Sequence, residues 1–192
     1  DQVVVHSTDD ETLPGPGGIL SWPEWAGRDL SFPYHWRGWL GVFAWPRAAG
    51  SFAGVYDHLA DEGLARIFPP EIAAGVKGFG FGRPAHALPA DLWTDDGSTY
   101  LELHGGLAPT FEDVHPLDAG ETLSWEEIWF PVAGVGGLSA AGPSGAAHVR
   151  PSDDGHTLLV SLMLTRPFAG QVEVEVDGRR ALAAPARLGP GE

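Results

Sequence analysis

The stretch Tyr100-Leu-Glu-Leu-His-Gly-Gly alternates, so Tyr100, Glu102 and His104 fall on one side of a strand and Leu101 and Leu103 on the other. The leucine side reads as core. A carboxylate two residues from an imidazole is a pair that can take and return protons near neutral pH. A second alternating stretch, residues 122–130, places Leu123, Trp125, Glu127 and Trp129 on one face and Thr122, Ser124, Glu126, Ile128 and Phe130 on the other. Sugar C–H faces stack on aromatic rings while sugar hydroxyls need charged or amide partners. Trp36, Trp125 and Trp129 beside Glu102, His104 and Glu127 are therefore the residue types of a carbohydrate pocket. Lys77 stands nearly alone as a cation in its region, suited either to an acidic sugar or to plain surface charge beside Glu71.

The elements that must position these residues are short. Runs of β character at 2–6, 39–45, 52–56, 64–68, 99–103, 122–130, 156–165, 171–176 and 180–184 recur between Gly/Pro punctuation, the spacing of an antiparallel all-β sandwich. The one helical suggestion covers 59–67, weakened by Asp61-Glu62-Gly63. Residues 13–18 and 68–78 read as loops because of their prolines and glycines. The small, uncharged segment 134–147 is the best boundary, giving a domain over 1–148 and a small sandwich or hairpin module over 149–192. In that module Val172-Glu-Val-Glu-Val alternates and ends at Asp177-Gly178, the pair that a type I′ hairpin turn favours.

Composition removes several functions. The chain has 192 residues with 11 Lys+Arg against 26 Asp+Glu, a formal charge of −15, which is the reverse of a nucleic-acid footprint and disfavours anionic membranes. No apolar run approaches the roughly 20 residues of a membrane helix. With no cysteine, disulfides, thiolate zinc sites and cysteine nucleophiles are all excluded, and the compartment stays open. The eight histidines lack metal-ligand spacing, Asp9-Asp10-Glu11 and Asp95-Asp96-Gly97 lack the period of a calcium loop, and Gly78-Phe-Gly-Phe-Gly82 lacks the Lys-Ser/Thr of a P-loop. Neither a metal nor a cofactor is expected.

Four blocks carry a family likeness: Gly54-Val-Tyr-Asp-His58 with Asp61-Glu-Gly63, Gly75-Val-Lys-Gly-Phe-Gly-Phe-Gly82, Tyr100-Leu-Glu-Leu-His-Gly-Gly106, and Trp125-Glu-Glu-Ile-Trp-Phe-Pro131. In order and spacing they resemble an uncharacterised domain family often fused to tetratricopeptide repeats, within the galactose mutarotase-like (aldose 1-epimerase-like) superfamily. The resemblance implies the C-terminal part of an antiparallel β-supersandwich that binds carbohydrate. It gives Glu102 the place of the general base, His104 that of a binding glutamine, and His35 or His58 that of the acid, with Asp57 holding sugar hydroxyls. From the residues alone, Asp57 and His58 equally suit capping the turn into Leu59. Three uses follow: an aldose epimerase-type isomerase, a non-catalytic carbohydrate-binding module, or an assembly protein whose exposed strands pair with another chain or a second copy that completes the sandwich.

Overall fold

The computed structural model describes residues 1–82, 89–98 and 100–191. It is 47% strand and 3% helix, and the strand ladders are antiparallel, so the chain is all-β. The strands are β1 (Gln2–Thr8), β2 (Ile19–Ser21), β3 (Glu24–Trp25), β4 (Arg28–Asp29), β5 (Leu40–Ala44), β6 (Phe52–Asp57), β7 (Glu62–Ile67), β8 (Gly75–Gly80), β9 (Leu101–Gly106), β10 (Ile128–Ala133), β11 (Ala140–Gly142), β12 (Gly145–Pro151), β13 (Leu158–Leu164), β14 (Phe168–Val176) and β15 (Arg179–Leu188). Two compact units contain them: Asp1–Ser51 with Phe68–Glu126, and Phe52–Ile67 with Glu127–Glu192. Residue 148, the edge expected from composition, lies inside β12, and the second unit is built from two separated segments.

The first unit is a five-stranded sheet in the order β2-β1-β5-β8-β9, with β3 and β4 as a separate short hairpin. Alternation gives it two unlike faces. Val3 and Val5 of β1 join Leu40 and Val42 of β5, Leu20 of β2, and Leu13, Leu30 and Trp36 in one core, with Leu101 of β9 packed against it. The residues between them point to the opposite face, and the polar side chains are found there. β8 replaces the loop expected at its position. Its glycines are strand residues where neighbours come close: a Cβ at Gly75 would lie 2.2 Å from the Ala108 carbonyl oxygen, and one at Gly80 would lie 3.0 Å from both Trp36 and Leu101. Glycine's turn-forming habit points to a loop, but here the same small size permits tight packing of a strand.

A buried ion pair ties down the connections of this unit. Asp10 is 2% exposed, accepts from Arg28 Nη1 at 2.8 Å and from the Arg37 backbone N–H at 2.9 Å, and also accepts from the Thr12 hydroxyl at 2.5 Å. Arg28 Nη1 reaches on to the His35 carbonyl oxygen at 3.1 Å.

In the second unit the order β10-β7-β6 forms one sheet, β11-β12-β13 a second, and β14-β15 a ribbon. Ala65 and Ile67 of β7 meet Phe130 and Val132 of β10, with Val135, Ala146 and Met163, in its core. The helical suggestion over 59–67 gives way to a turn and β7, and Asp61 takes φ 55° in that turn. The segment expected to be a linker supplies β11 and the start of β12. The expected strand over 122–130 begins only at Ile128, because β7 pairs with residues 128–133 and none of the residues before them has a strand partner among the described residues. Thr99, expected to open β9, lies outside the described residues. Asp177 (φ 51°) and Gly178 (φ 71°) both adopt the left-handed conformation that a type I′ turn requires.

Burial pushes the Asp10 carboxyl upward, but the bonds from Arg28, Thr12 and Arg37 outweigh it and bring the pKa from 3.8 to about 2. A lowered folded-state pKa stabilises above the ordinary value and is lost as pH falls through the folded one. Urea unfolding should therefore lose about 2 kcal/mol between roughly pH 4 and pH 2 from this group. Asp10→Asn should be less stable at neutral pH and show a flatter acid limb, and an unchanged limb would remove Asp10 as its source.

Candidate functional site

On the face of the first sheet opposite its core, cross-strand pairing sets Phe43 of β5 beside Lys77 of β8, Lys77 beside His104 of β9, and Phe79 of β8 beside Glu102 of β9. Glu102 is the centre of the polar group. Tyr100 donates its hydroxyl to Glu102 Oε1 at 2.7 Å, His104 Nε2 is hydrogen-bonded to Oε2, and Lys77 Nζ stands 3.6 Å from Oε2. Burial pushes the Glu102 pKa up, yet the Tyr100 and His104 bonds and the Lys77 ammonium prevail and hold it below the usual carboxylate range. Glu102 is thus a fixed, ionised hydrogen-bond acceptor.

Aromatic rings flank this group on both sides. Tyr100 stacks on Phe81 at 5.2 Å, and Trp93, 48% exposed, lies 5.5 Å from Tyr100 and 5.8 Å from Phe81. On the other side the loop after β9 brings Phe111 over the sheet, 4.9 Å from Phe43, 4.6 Å from His6, and 4.7 Å from Lys77 Nζ. Thr110 steadies that loop by donating its N–H and hydroxyl to Asp113 Oδ2 at 3.2 and 2.9 Å. A cavity of ≈ 230 Å³ lies between Lys77, His104, Gly106, Thr110, Phe43 and Phe111. A larger one of ≈ 420 Å³ shares Phe43 and Thr110 and carries His6, Glu112 and Asp113.

The expected site residues separate. Glu102, His104 and Lys77 come together, joined by Tyr100. Trp36 belongs to the core: it is 3% exposed and its indole N–H donates to the Leu30 carbonyl oxygen at 2.9 Å. A ring buried in this way has no face for a sugar. His35 sits in a 3-10 turn with Nδ1 2.7 Å from the Asp29 carbonyl oxygen, packed against Tyr34 and Phe32. Trp125 belongs to the first unit and is exposed.

Asp57, His58, Glu127 and Trp129 belong to the second unit. Asp57 accepts from the Leu59 and Ala60 N–H groups at 2.8 and 3.1 Å, the capping role open to it from sequence, and these bonds lower its pKa. His58 Nδ1 lies 3.2 Å from the Gly136 carbonyl oxygen. Glu127 is engaged by Arg66, which donates Nε to Oε2 at 2.8 Å and Nη2 to Oε1 at 2.6 Å, while the Trp129 indole N–H reaches Oε2 at 3.2 Å. Arg66 is 0% exposed, with its guanidinium 5.7 Å from the Trp129 ring.

Trp93, Phe79, Phe81 and Phe111 were not singled out from sequence as members of this site. Their loop or Gly-rich settings offered no period to read. Arg66, inside Leu64-Ala-Arg-Ile-Phe68, did leave a signal, since a lone cation in an apolar strand demands a carboxylate elsewhere. Among the described residues no cluster of three His, Asp or Glu side chains could hold a metal ion. No protein-family model, characterised protein or solved structure matches the chain.

Removing one side of the Arg66–Glu127 pair tests its structural role. Glu127→Ala, which strips the carboxylate from a fully buried guanidinium, should cost about 3–5 kcal/mol, and Arg66→Met less, because Glu127 keeps contact with water. Urea unfolding of both variants gives the order, and equal small losses would make the pair incidental.

Proposed function

We propose that the protein is a carbohydrate-binding module whose ligand lies on the outer face of the first sheet, held by Glu102, His104 and Tyr100 beside Trp93. The observation that carries this reading is a fixed carboxylate with hydrogen-bonding neighbours set against aromatic rings, since sugars are bound by hydroxyl acceptors and ring faces together. The likeness to the mutarotase-like superfamily supports the same face and the same glutamate. It also raises the epimerase alternative, with Glu102 as base and His35 or His58 as acid. A base that must take an anomeric proton works best with a pKa near the working pH, whereas Glu102 is shifted the other way. Its environment suits accepting hydrogen bonds better than removing protons.

Sugar titrations followed by tryptophan emission should give a saturable change that Trp93→Phe reduces sharply. Glu102→Ala should weaken binding about 10- to 100-fold, the scale of hydrogen bonds to a charged group. Anomer interconversion should run no faster with protein than without. Saturable binding that Glu102→Ala leaves intact would move the site elsewhere, and acceleration abolished in Glu102→Gln would make the protein an epimerase-type isomerase.

A second reading has its own observation. Leu158, Leu159 and Val160 are consecutive in β13, an end strand of its sheet, and are 52%, 39% and 38% exposed, so both faces of that strand meet water. Such an edge suits pairing with another chain or a second copy. Light scattering would then give a mass well above 20.3 kDa. A monomer over a wide concentration range counts against self-association.

A further inference from the structure

We infer that the ligand of this face is anionic, a carboxylate-bearing sugar such as a uronate, and that its carboxylate occupies the ≈ 230 Å³ cavity against Lys77. The inference rests on the carbohydrate reading above and adds the charge of the ligand to it.

Lys77 is only 8% exposed, on an interior strand of the sheet. Its ammonium carries three N–H donors. Glu102 lies 3.6 Å away, beyond hydrogen-bond range. The other neighbours of Nζ are ring faces, Phe111 at 4.7 Å and Phe79 at 5.3 Å, which attract a cation but accept no strong hydrogen bond. Among the described residues no acceptor lies within hydrogen-bond range of Lys77, and its side chain lines the cavity, where the ammonium can meet an acceptor from a ligand.

The rest of the lining points the same way. In a chain with 26 acidic residues, no carboxylate borders this cavity among the described residues, and Lys77 is the one Lys or Arg on its lining. The neighbouring larger cavity carries both Glu112 and Asp113, so the difference is local. The volume is below the roughly 300–1,000 Å³ of sites for drug-sized ligands, which suits part or all of one monosaccharide. Gly106 lies on the lining and has room for a larger side chain, since a Cβ built there meets nothing within 4 Å.

The test compares glucuronate and galacturonate with glucose, galactose and acetate by calorimetric titration. Wild type should bind at least one uronate about tenfold or more tighter than its neutral counterpart, the scale of one charge-assisted hydrogen bond, and the preference should shrink as salt is raised. Acetate alone should bind far more weakly than the uronate. Lys77→Met should bring uronate affinity down to that of the neutral sugar while neutral binding persists, and Lys77→Arg should keep a preference. Gly106→Val, which adds side-chain bulk to the cavity lining, should reduce the uronate preference as well, and it decides the matter should Lys77→Met fail to fold by near-UV circular dichroism. Equal affinity for neutral and acidic sugars in wild type, or a preference that Gly106→Val leaves undiminished, overturns the inference and leaves carbohydrate binding standing. Absence of binding by either class overturns both.

Discussion

Lys77 imposes the constraint around which the polar face of the first unit is arranged. A lysine side chain largely covered by its neighbours, on a strand flanked by two others, is favoured beside a negative charge and polarisable ring faces. Glu102 supplies the charge from the next strand, two residues along from His104, which lies directly opposite Lys77. That carboxylate must in turn stay ionised, and His104 from its own strand and Tyr100 just before it see to that. Their i±2 spacing is the reason they can, since only alternate residues share a face. Phe79 and Phe111 add ring faces 5.3 and 4.7 Å from the ammonium.

Two other buried charges obey the same rule with a different result. Asp10 is surrounded by Arg28, Thr12 and the Arg37 backbone, and Arg66 is matched by both oxygens of Glu127. Each is closed in on itself and acts as a fastening between segments distant in sequence. The Lys77–Glu102 pair differs in geometry: its separation is too long for a hydrogen bond, and a cavity lies alongside. A closed pair is a structural lock, whereas an open one retains capacity for a ligand.

Alternation made much of this legible before any coordinates. The leucine and carboxylate faces of β9, the hairpin at Asp177-Gly178 and the all-β class follow from period-two patterning and turn chemistry, which are local and survive folding unchanged. What escaped was non-local. β8 hid behind its glycines because their meaning depends on whether Ala108, Trp36 and Leu101 approach. The stretch 122–127 alternates as well as any strand, yet without a partner there is no ladder to join. Trp36 looked like a sugar platform, and only the Leu30 carbonyl and the surrounding core assign it to the interior. Glu127 looked available until Arg66 claimed it.

The path of the chain through the second unit has a consequence for how it is made. β6 and β7 form a hairpin that emerges early, but β7 finds its other neighbour only when residues 128–133 have been synthesised. Until then Ala65 and Ile67 lack the strand that covers them, and Arg66 lacks its carboxylate. Closing that long loop carries an entropic cost before any contact rewards it, so pairing of β7 with β10 is the step expected to set the folding rate of this unit. A nascent chain stalled before β10 would present an apolar, unpaired strand edge, the form in which a β protein meets a chaperone or aggregates.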